Sequence, residues 1–235
     1  MTRPTPRTRG EELLLARISA AAGRARLGKR RATYARAAHT LRVRAVPVRG
    51  MRRIRGLLAS PVWYGRLPAA KRTADVRLDL YEHGMTIAAK GRIHVVRYDT
   101  TATVRHATSY TITDIEGRRV VLHVRPEESD AEVWGTEIRR AVTRAQLPRA
   151  LAALDNGERL TFGDIWLTRV NVGCGEVSAR WPQVRQTDIR KGAIRLNIDG
   201  NWHNLGPTES EIPNLFVFRA IVELLRADGT RSQGA

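Results

Sequence analysis

The sequence predicts an α+β fold in which two similar units, each an antiparallel sheet followed by a helix, come after a basic N-terminal segment. Short stretches alternate apolar and polar residues over 75–124 and again over 160–208, and an apolar stripe of helical period follows each series. The charge is divided unevenly. Residues 1–74 contain 19 Lys and Arg against 2 Asp and Glu, whereas residues 75–235 contain 22 against 21. The net charge of +18 therefore belongs almost entirely to the first third of the chain.

The basic N-terminal arm, residues 1–74, is predicted to contain one helix and one linker. Glu11 and Glu12 suit the first turn of a helix over about 11–36, because acidic side chains favour the positive end of the helix dipole. Its apolar stripe is Leu14, Ile18, Ala21, Ala22 and Ala25. Residues 37–74 lose this period, which predicts a linker, and residues 1–10 are expected to be disordered.

The first unit is predicted over residues 75–157. Val76, Leu78 and Leu80 alternate with polar residues, as in a half-buried strand, and glycine-containing turns separate about six such strands. Ser129 suits the cap of a helix from Asp130 to about Gln146. Pro148 then predicts the first turn of a further helix, which Gly157 ends.

The second unit is predicted over residues 158–228, where short strands and a final helix repeat the plan. Ser210 suits the cap of that helix, and residues 229–235 are expected to form a disordered tail. Arg97-Tyr98 and Arg180-Trp181 take similar places in the two units, each at the end of a strand, which supports a true repeat. Four tryptophans in patterned elements are expected in the core: Trp134, Trp166, Trp181 and Trp202.

The chain lacks the local signatures of catalytic, metal and cofactor sites. Cys174 is its only cysteine, which excludes an intramolecular disulfide and a zinc site built from several cysteines. The six histidines form no His-x-His or His-x-x-x-His pair, although His94 and His123 lie on predicted strands that can meet. Gly173-x-Gly175 lacks the third glycine and the helix of a phosphate-binding loop. We therefore expect no enzymatic activity, no metal and no cofactor.

The expected location is the cytoplasm, including peripheral attachment at the inner face of the membrane. No apolar run approaches the length of a spanning helix, and residues 1–12 lack the apolar core of a signal peptide. A chain beginning at Met51 would instead start with a basic, weakly apolar stretch, so the start codon is left open between Met1 and Met51.

Two basic clusters are the candidate sites for an anionic partner. They are Lys29, Arg30 and Arg31, and Arg52, Arg53 and Arg55. Trp63 and Tyr64, flanked by arginines, form a candidate interfacial anchor, since such aromatics sit at headgroup depth in a bilayer. The alternatives are that the arm only solubilises the chain, and that residues 63–64 dock onto the body as an edge strand.

Several stretches resemble a family of bacterial proteins of unknown function whose body is regarded as pleckstrin-homology-like (PH-like). They are LYEHG (80–84), Lys90-Gly91, RYDTT (97–101), AVTRAQLPRALAAL (141–154), FGDIWLT (162–168), RWPQV (180–184) and IPNLFVF (212–218). Residues 14–37 also look familial, which favours Met1 as the start. A small curved antiparallel sheet closed by one C-terminal helix is the plan of the pleckstrin-homology superfold, and the family contributes no catalytic residue.

This resemblance implies a non-enzymatic interaction or scaffold module whose arm contacts an anionic surface, either phospholipid headgroups or an acidic protein. The alternative is a nucleic-acid-binding protein that acts through the same arginines, because arginine pairs bidentately with phosphate. The sequence predicts no oligomeric state.

Overall fold

The computed structural model describes residues 8–38, 40–44, 76–106, 108–124, 130–190 and 192–231. Within them the chain is α+β, and every strand pairing is antiparallel. Residues 45–75 lie outside this description, and they include residues 45–74 of the predicted linker.

The first helix, α1, spans Arg9–Arg24. A capping box begins it: the Thr8 hydroxyl accepts from the backbone N–H of Glu11 at 3.3 Å, and the Glu11 carboxylate accepts from the N–H of Thr8 at 2.9 Å. The prediction that this helix continues to about residue 36 is wrong, because it ends at Arg24. Arg26 and Gly28 take positive φ values of 54° and 82°, which end the helical path, and residues 30–38 form a strand instead.

The 30–44 stretch contains two strands, and each lies at the edge of a different sheet. β1 (Arg30–Ala38) and β2 (Thr40–Arg44) are separated by one residue. β1 pairs with β3 in a sheet of order β1-β3-β4-β5, and β2 pairs with β8 in a sheet of order β2-β8-β7-β6. The predicted linker is therefore corrected at residues 37–38 and 40–44, where pairing with β3 and β8 forms strands. The remaining strands are β3 (Val76–Tyr81), β4 (Gly84–Ala89), β5 (Arg92–Arg97), β6 (Thr103–His106), β7 (Ser109–Thr113) and β8 (Arg119–His123).

Helix α2 spans Asp130–Asp155 and packs against the sheets of the first half. It is one helix with Pro148 inside it, rather than two helices that meet at Pro148. Proline removes one backbone hydrogen bond, but Val142, Ala150 and Leu154 are buried in the core on both sides of it and hold the helix in place. Gly157, at φ 80°, follows its end as predicted.

The second half forms two further sheets and a helix. A four-stranded sheet has the order β12-β11-β10-β9, and a three-stranded sheet has the order β13-β14-β15. Helix α3 spans Leu215–Arg231, so residues 229–231 are helical rather than part of a disordered tail. The strands are β9 (Leu160–Phe162), β10 (Ile165–Leu167), β11 (Asn171–Cys174), β12 (Val177–Arg180), β13 (Val184–Arg190), β14 (Ala193–Ile198) and β15 (Asn201–Thr208).

One continuous hydrophobic core joins the two halves. It contains Trp134 from α2, Phe162 from β9 and Phe218 from α3, and the rings of Phe162 and Phe218 lie 5.5 Å apart edge to face. Trp134 and Trp181 are buried as predicted. The prediction is wrong for Trp202, which is 39% exposed under the guanidinium of Arg195, and Trp166 is half-buried under Arg159.

A buried polar clamp centred on Asn214 crosses from the second half to the first. The Asn214 side chain accepts from the N–H of Thr103 at 2.8 Å, and donates to the carbonyl of Thr101 and to the Gln146 side chain at 2.8 Å each. Gln146 in turn donates to the carbonyls of Tyr98 and Thr101. Both side chains are buried, so the clamp supplies partners for backbone groups that water does not reach.

A second buried polar group, Asp79, joins β3 to β1. It accepts from the Thr33 hydroxyl at 2.6 Å and from Arg77 at 2.7 and 2.9 Å, and Arg30 lies 3.5 Å away. Burial alone would raise the pKa of Asp79. The hydrogen bonds from Arg77 and Thr33 and the charges of Arg77 and Arg30 outweigh burial, so the pKa lies below its ordinary value.

Removing residues 1–74 should destabilise the protein, because β3 and β8 would become unpaired edges and Asp79 would lose Thr33. We expect a melting temperature at least about 10 °C lower, or aggregation. Thermal unfolding and size-exclusion chromatography measure both. The control deletes only residues 1–7, ahead of the Thr8 cap. An undiminished melting temperature for residues 75–235 would contradict the structural role of β1 and β2.

Asn214→Ala should lower the free energy of unfolding by about 3 kcal/mol, since several buried polar groups lose their partners. Asn214 also has φ 51°, so Asn214→Gly should cost less than Asn214→Ala by removing the backbone strain. Urea unfolding measures both variants. Asn204→Ala, at an exposed position of β15, is the control and should change stability little. Equal losses for Asn204→Ala and Asn214→Ala would count against the clamp.

Asp79→Asn should destabilise the protein at neutral pH and matter less in acid. A carboxyl whose pKa is lowered by folding stabilises above its unfolded pKa of about 3.9, and the benefit is lost as the pH falls through the folded pKa. The stability difference between the variant and the parent should therefore shrink below about pH 4. Urea unfolding across this range tests it, with exposed Asp188→Asn as the control. A difference that is constant with pH would show that the charge of Asp79 is unimportant.

Candidate functional site

A groove of about 510 Å³ lies between the middle of α2 and the turn that joins β3 to β4. Three of the stretches that carry the family resemblance line it. LYEHG contributes Tyr81, Glu82 and His83, RYDTT contributes Arg97 and Asp99, and the α2 stretch contributes Ala141, Arg144 and Ala145. Arg31, at the start of β1, completes the lining. We call this the α2 groove.

Local sequence explains why the α2 groove is open and its walls are fixed. Ala141 and Ala145 are one helical turn apart and leave space along this face of α2. Gly84 follows the β3–β4 turn, and a Cβ there would lie 2.2 Å from the carbonyl oxygen of Val96, so only glycine allows this approach of β4 to β5. Gly28, at φ 82°, packs the chain before β1 against Glu82.

The arginines of the α2 groove differ in how firmly they are held. Arg97 donates to both Asp99 oxygens, at 3.0 and 3.1 Å, and to the carbonyl of Ala25 at 3.0 Å. These hydrogen bonds from Arg97 hold the pKa of Asp99 below its ordinary value. Among the described residues, the guanidinium of Arg31 makes a 3.8 Å ion pair with Glu82, which is longer than the contacts of Arg97. The guanidinium of Arg144 has neither a hydrogen bond nor an ion pair with any residue that the structure describes.

The predicted cluster of Lys29, Arg30 and Arg31 is built into the sheet rather than carried on a helix. Arg30 pairs with Asp79 and lies over the ring of Tyr81, and Arg31 pairs with Glu82. The backbone N–H of Lys29 donates to Glu82. Acidic residues from β3 and its turn thus neutralise part of this cluster, which sequence reasoning missed because they lie about 50 residues away in the chain.

The remaining residues of the predicted anionic-partner site and interfacial anchor lie outside the described part of the chain. They are Arg52, Arg53, Arg55, Trp63 and Tyr64. Their segment joins Arg44 at the end of β2 to Val76 at the start of β3. The cluster at residues 29–31 begins β1, whereas this segment follows β2. The two predicted clusters are therefore attached at opposite ends of the same 30–44 stretch.

A second basic surface, which we call the basic rim, lies at the β4–β5 and β7–β8 turns. Lys90 and Arg92 are exposed on the first turn, and Arg118 and Arg119 follow the second. Arg17 of α1 donates to the carbonyl of Gly91 at 2.9 Å, so α1 contacts the β4–β5 turn. The N–H of Ile115 donates to the carbonyl of Val95, so the β7–β8 turn lies against β5. The rim consists of Arg17, Lys90, Arg92, Arg118 and Arg119.

An exposed apolar residue, Ile115, lies beside the basic rim. Its side chain is 51% exposed and, with Ile93, Arg17 and Arg24, lines a groove of about 430 Å³ between α1 and β5. Glu116 is the acidic residue of this lining, and it pairs with Arg118 at 2.7 Å. The surface thus combines exposed apolar area with an excess of positive charge.

Two further polar residues are placed differently from what the sequence suggested. The Nδ1 of His94 lies 3.1 Å from buried Asp114, which Arg118 also contacts. Within the described parts of the chain, no three His, Cys, Asp or Glu side chains are grouped as a metal site would require. Cys174 lies half-buried at the end of β11, where burial and the charge of Asp164 raise the pKa of its thiol. A raised pKa keeps the thiol protonated near neutral pH, which disfavours nucleophilic chemistry.

Among the described helices, none is both long and apolar enough to span a membrane. A search of curated proteins finds no match. A solved structure described as the Spt16D Pob3N heterodimer is similar at 10% identity with a TM-score of 0.23, covering 53% of this chain and 75% of that chain. At this TM-score the likeness carries no argument about fold or function.

The family comparison covers most of the body of the protein. Residues 73–231 match a family of unknown function, DUF6585. The match includes β3 to β15, α2 and α3, and both turns of the basic rim, whereas α1, β1 and β2 precede it. Since the matched region exceeds half of the chain, the protein belongs to the DUF6585 family of unknown function.

Proposed function

We propose that the protein is a non-enzymatic interaction module, made of two tandem PH-like units, that contacts an anionic phospholipid surface through the basic rim of its first half. In this proposal it is cytoplasmic and attaches peripherally at the inner face of the membrane. The observation that carries it is that Lys90 and Arg92 are exposed in the first half, which also presents Arg119 and the exposed apolar side chain of Ile115.

The strand order supports two units of similar plan. In the first half, the 30–44 stretch serves two sheets, three strands follow in each sheet, and α2 follows them. In the second half, a four-stranded sheet and a three-stranded sheet precede α3. Antiparallel sheets closed by a C-terminal helix are the plan of the PH superfold. The proposed first unit therefore begins at residue 30 rather than at residue 75.

In the sequence, the arginine-rich segment connects two strands of the same half. It follows β2, whose last residue Arg44 is in register with Arg119 of the rim, and precedes β3. In this proposal the charge of Arg52, Arg53 and Arg55 adds to the net positive charge that attracts an anionic surface.

The combination of charge and exposed apolar area favours a bilayer over nucleic acid. Each basic residue near an anionic membrane surface contributes about 1 kcal/mol, which salt screens. Insertion of Ile115 would add a contribution that salt does not screen. A nucleic-acid partner would instead depend on arginine–phosphate contacts alone and would lose affinity steeply with salt.

The double variant Lys90→Gln/Arg92→Gln of the full chain should bind phosphatidylserine-containing vesicles at least about tenfold more weakly than the parent. Ile115→Ser should weaken binding even at high salt. Vesicle co-sedimentation measures both, with phosphatidylcholine vesicles as the neutral comparison. Arg190→Gln/Arg219→Gln removes the same charge from exposed sites of the second half and should have less effect.

Unchanged binding by the rim variants would overturn the role of the rim. Binding to duplex DNA with a steep salt dependence, but not to anionic vesicles, would instead support the nucleic-acid function. Tighter binding to an acidic protein than to vesicles or DNA would support the alternative in which the anionic surface belongs to a protein.

A further inference from the structure

We propose that the α2 groove is a separate binding site for a small molecule that carries a phosphate or carboxylate group. The groove volume of about 510 Å³ lies within the range of small-molecule sites. Its lining comes from four separate parts of the chain: the start of β1, the β3–β4 turn, the end of β5 with the segment after it, and α2. A site assembled in this way depends on the fold and not on local sequence.

Arg144 supplies the free positive charge of the site. A guanidinium carries five N–H donors in a planar fork, which matches the paired oxygens of a carboxylate or phosphate. None of these donors is used within the described parts of the chain. Ala141 and Ala145 beside it are too small to cover the guanidinium from the groove.

Arg31 supplies a second cation that an incoming anion can recruit. Its partner Glu82 is 3.8 Å away, longer than a hydrogen bond, and one oxygen of Glu82 already accepts from the backbone of Lys29. An oxyanion between Arg31 and Arg144 would therefore replace a weak contact and not a strong one. Glu82 competes with the ligand, so its charge lowers the affinity of the site.

Arg97 and Asp99 form the fixed wall of the groove. Two hydrogen bonds to Asp99 and one to the carbonyl of Ala25 hold Arg97 before any ligand arrives. Of the charged lining residues, three are cationic (Arg31, Arg97 and Arg144) and two are anionic (Glu82 and Asp99). This small excess suits one anionic group, whereas a polyanion or a charged surface requires the larger field of the basic rim.

The α2 groove and the basic rim are independent sites. The groove lies at the β3–β4 turn, whereas Lys90 and Arg92 of the rim lie at the β4–β5 turn, at the opposite end of β4. The six residues of β4 span about 20 Å. Charge removal at one site should therefore leave binding at the other nearly unchanged.

Isothermal titration calorimetry of the full chain with inorganic phosphate and with citrate tests the proposal. Arg144→Gln should weaken binding by about tenfold or more. Glu82→Gln should strengthen it several-fold, because it removes the competing charge and keeps an oxygen for the N–H of Lys29. Because the two substitutions are expected to change the affinity in opposite directions, a general loss of folding cannot explain both results. Arg140→Gln, an exposed arginine of α2 outside the lining, is the matched control and should bind like the parent.

The two probes distinguish the ligand group, since preference for phosphate or for citrate assigns the phosphate or the carboxylate form. Equal losses in Arg144→Gln and Arg140→Gln would overturn the site, as would the absence of binding by the parent at millimolar concentrations. The rim variant Lys90→Gln/Arg92→Gln should still bind phosphate or citrate. If the protein does not bind vesicles, the calorimetric test of the α2 groove therefore remains valid.

Discussion

The clamp around Asn214 fixes the two halves against each other beside the hydrophobic core that they share. Asn214 precedes α3 in a left-handed conformation and bonds the backbone at both Thr101 and Thr103, while Gln146 fixes the same loop from α2. Helices α2 and α3 are therefore tied to one loop between β5 and β6. Because each polar group in the clamp is buried, a shift of either half would leave donors and acceptors unpaired at a cost of about 1–3 kcal/mol each. The α2 groove depends on this constraint, since Arg144 and Ala145 directly precede Gln146.

The 30–44 stretch imposes a second constraint from outside the matched family region. It completes both sheets of the first half. Its Thr33 donates a hydrogen bond to the buried carboxylate of Asp79, and its Arg30 forms an ion pair with that carboxylate. The same stretch places Arg31 in the α2 groove. In this chain the family region therefore depends on a preceding strand both for its fold and for part of its candidate site.

Sequence reasoning succeeded where the signal was local. Alternation at Val76, Leu78 and Leu80 identified a strand, and Gly157 marked a helix end. It failed at residues 30–38, where Arg and Ala favour a helix by propensity and pairing with β3 overrides that preference. The α2 groove was beyond prediction, because Arg31, Arg97 and Arg144 converge only through long-range pairing. Trp202 shows a similar limit: the alternation of β15 does not reveal which of its faces meets the core.

The net charge of +18 is a poor guide to where ligands bind, because the structure divides the arginines by their partners. Arg30 and Arg77 serve a buried carboxylate, and Arg97 is fixed by Asp99. Because these guanidinium groups already pair with carboxylates, they stabilise the fold and are poorly suited to bind a ligand. Arg144 and the exposed residues of the rim have no such commitment in the described chain, apart from the contacts of Arg17 and Arg118. In both proposals the charge that binds a ligand is charge that folding leaves unpaired, and Arg144 and the Lys90–Arg92 pair lie toward opposite ends of β4.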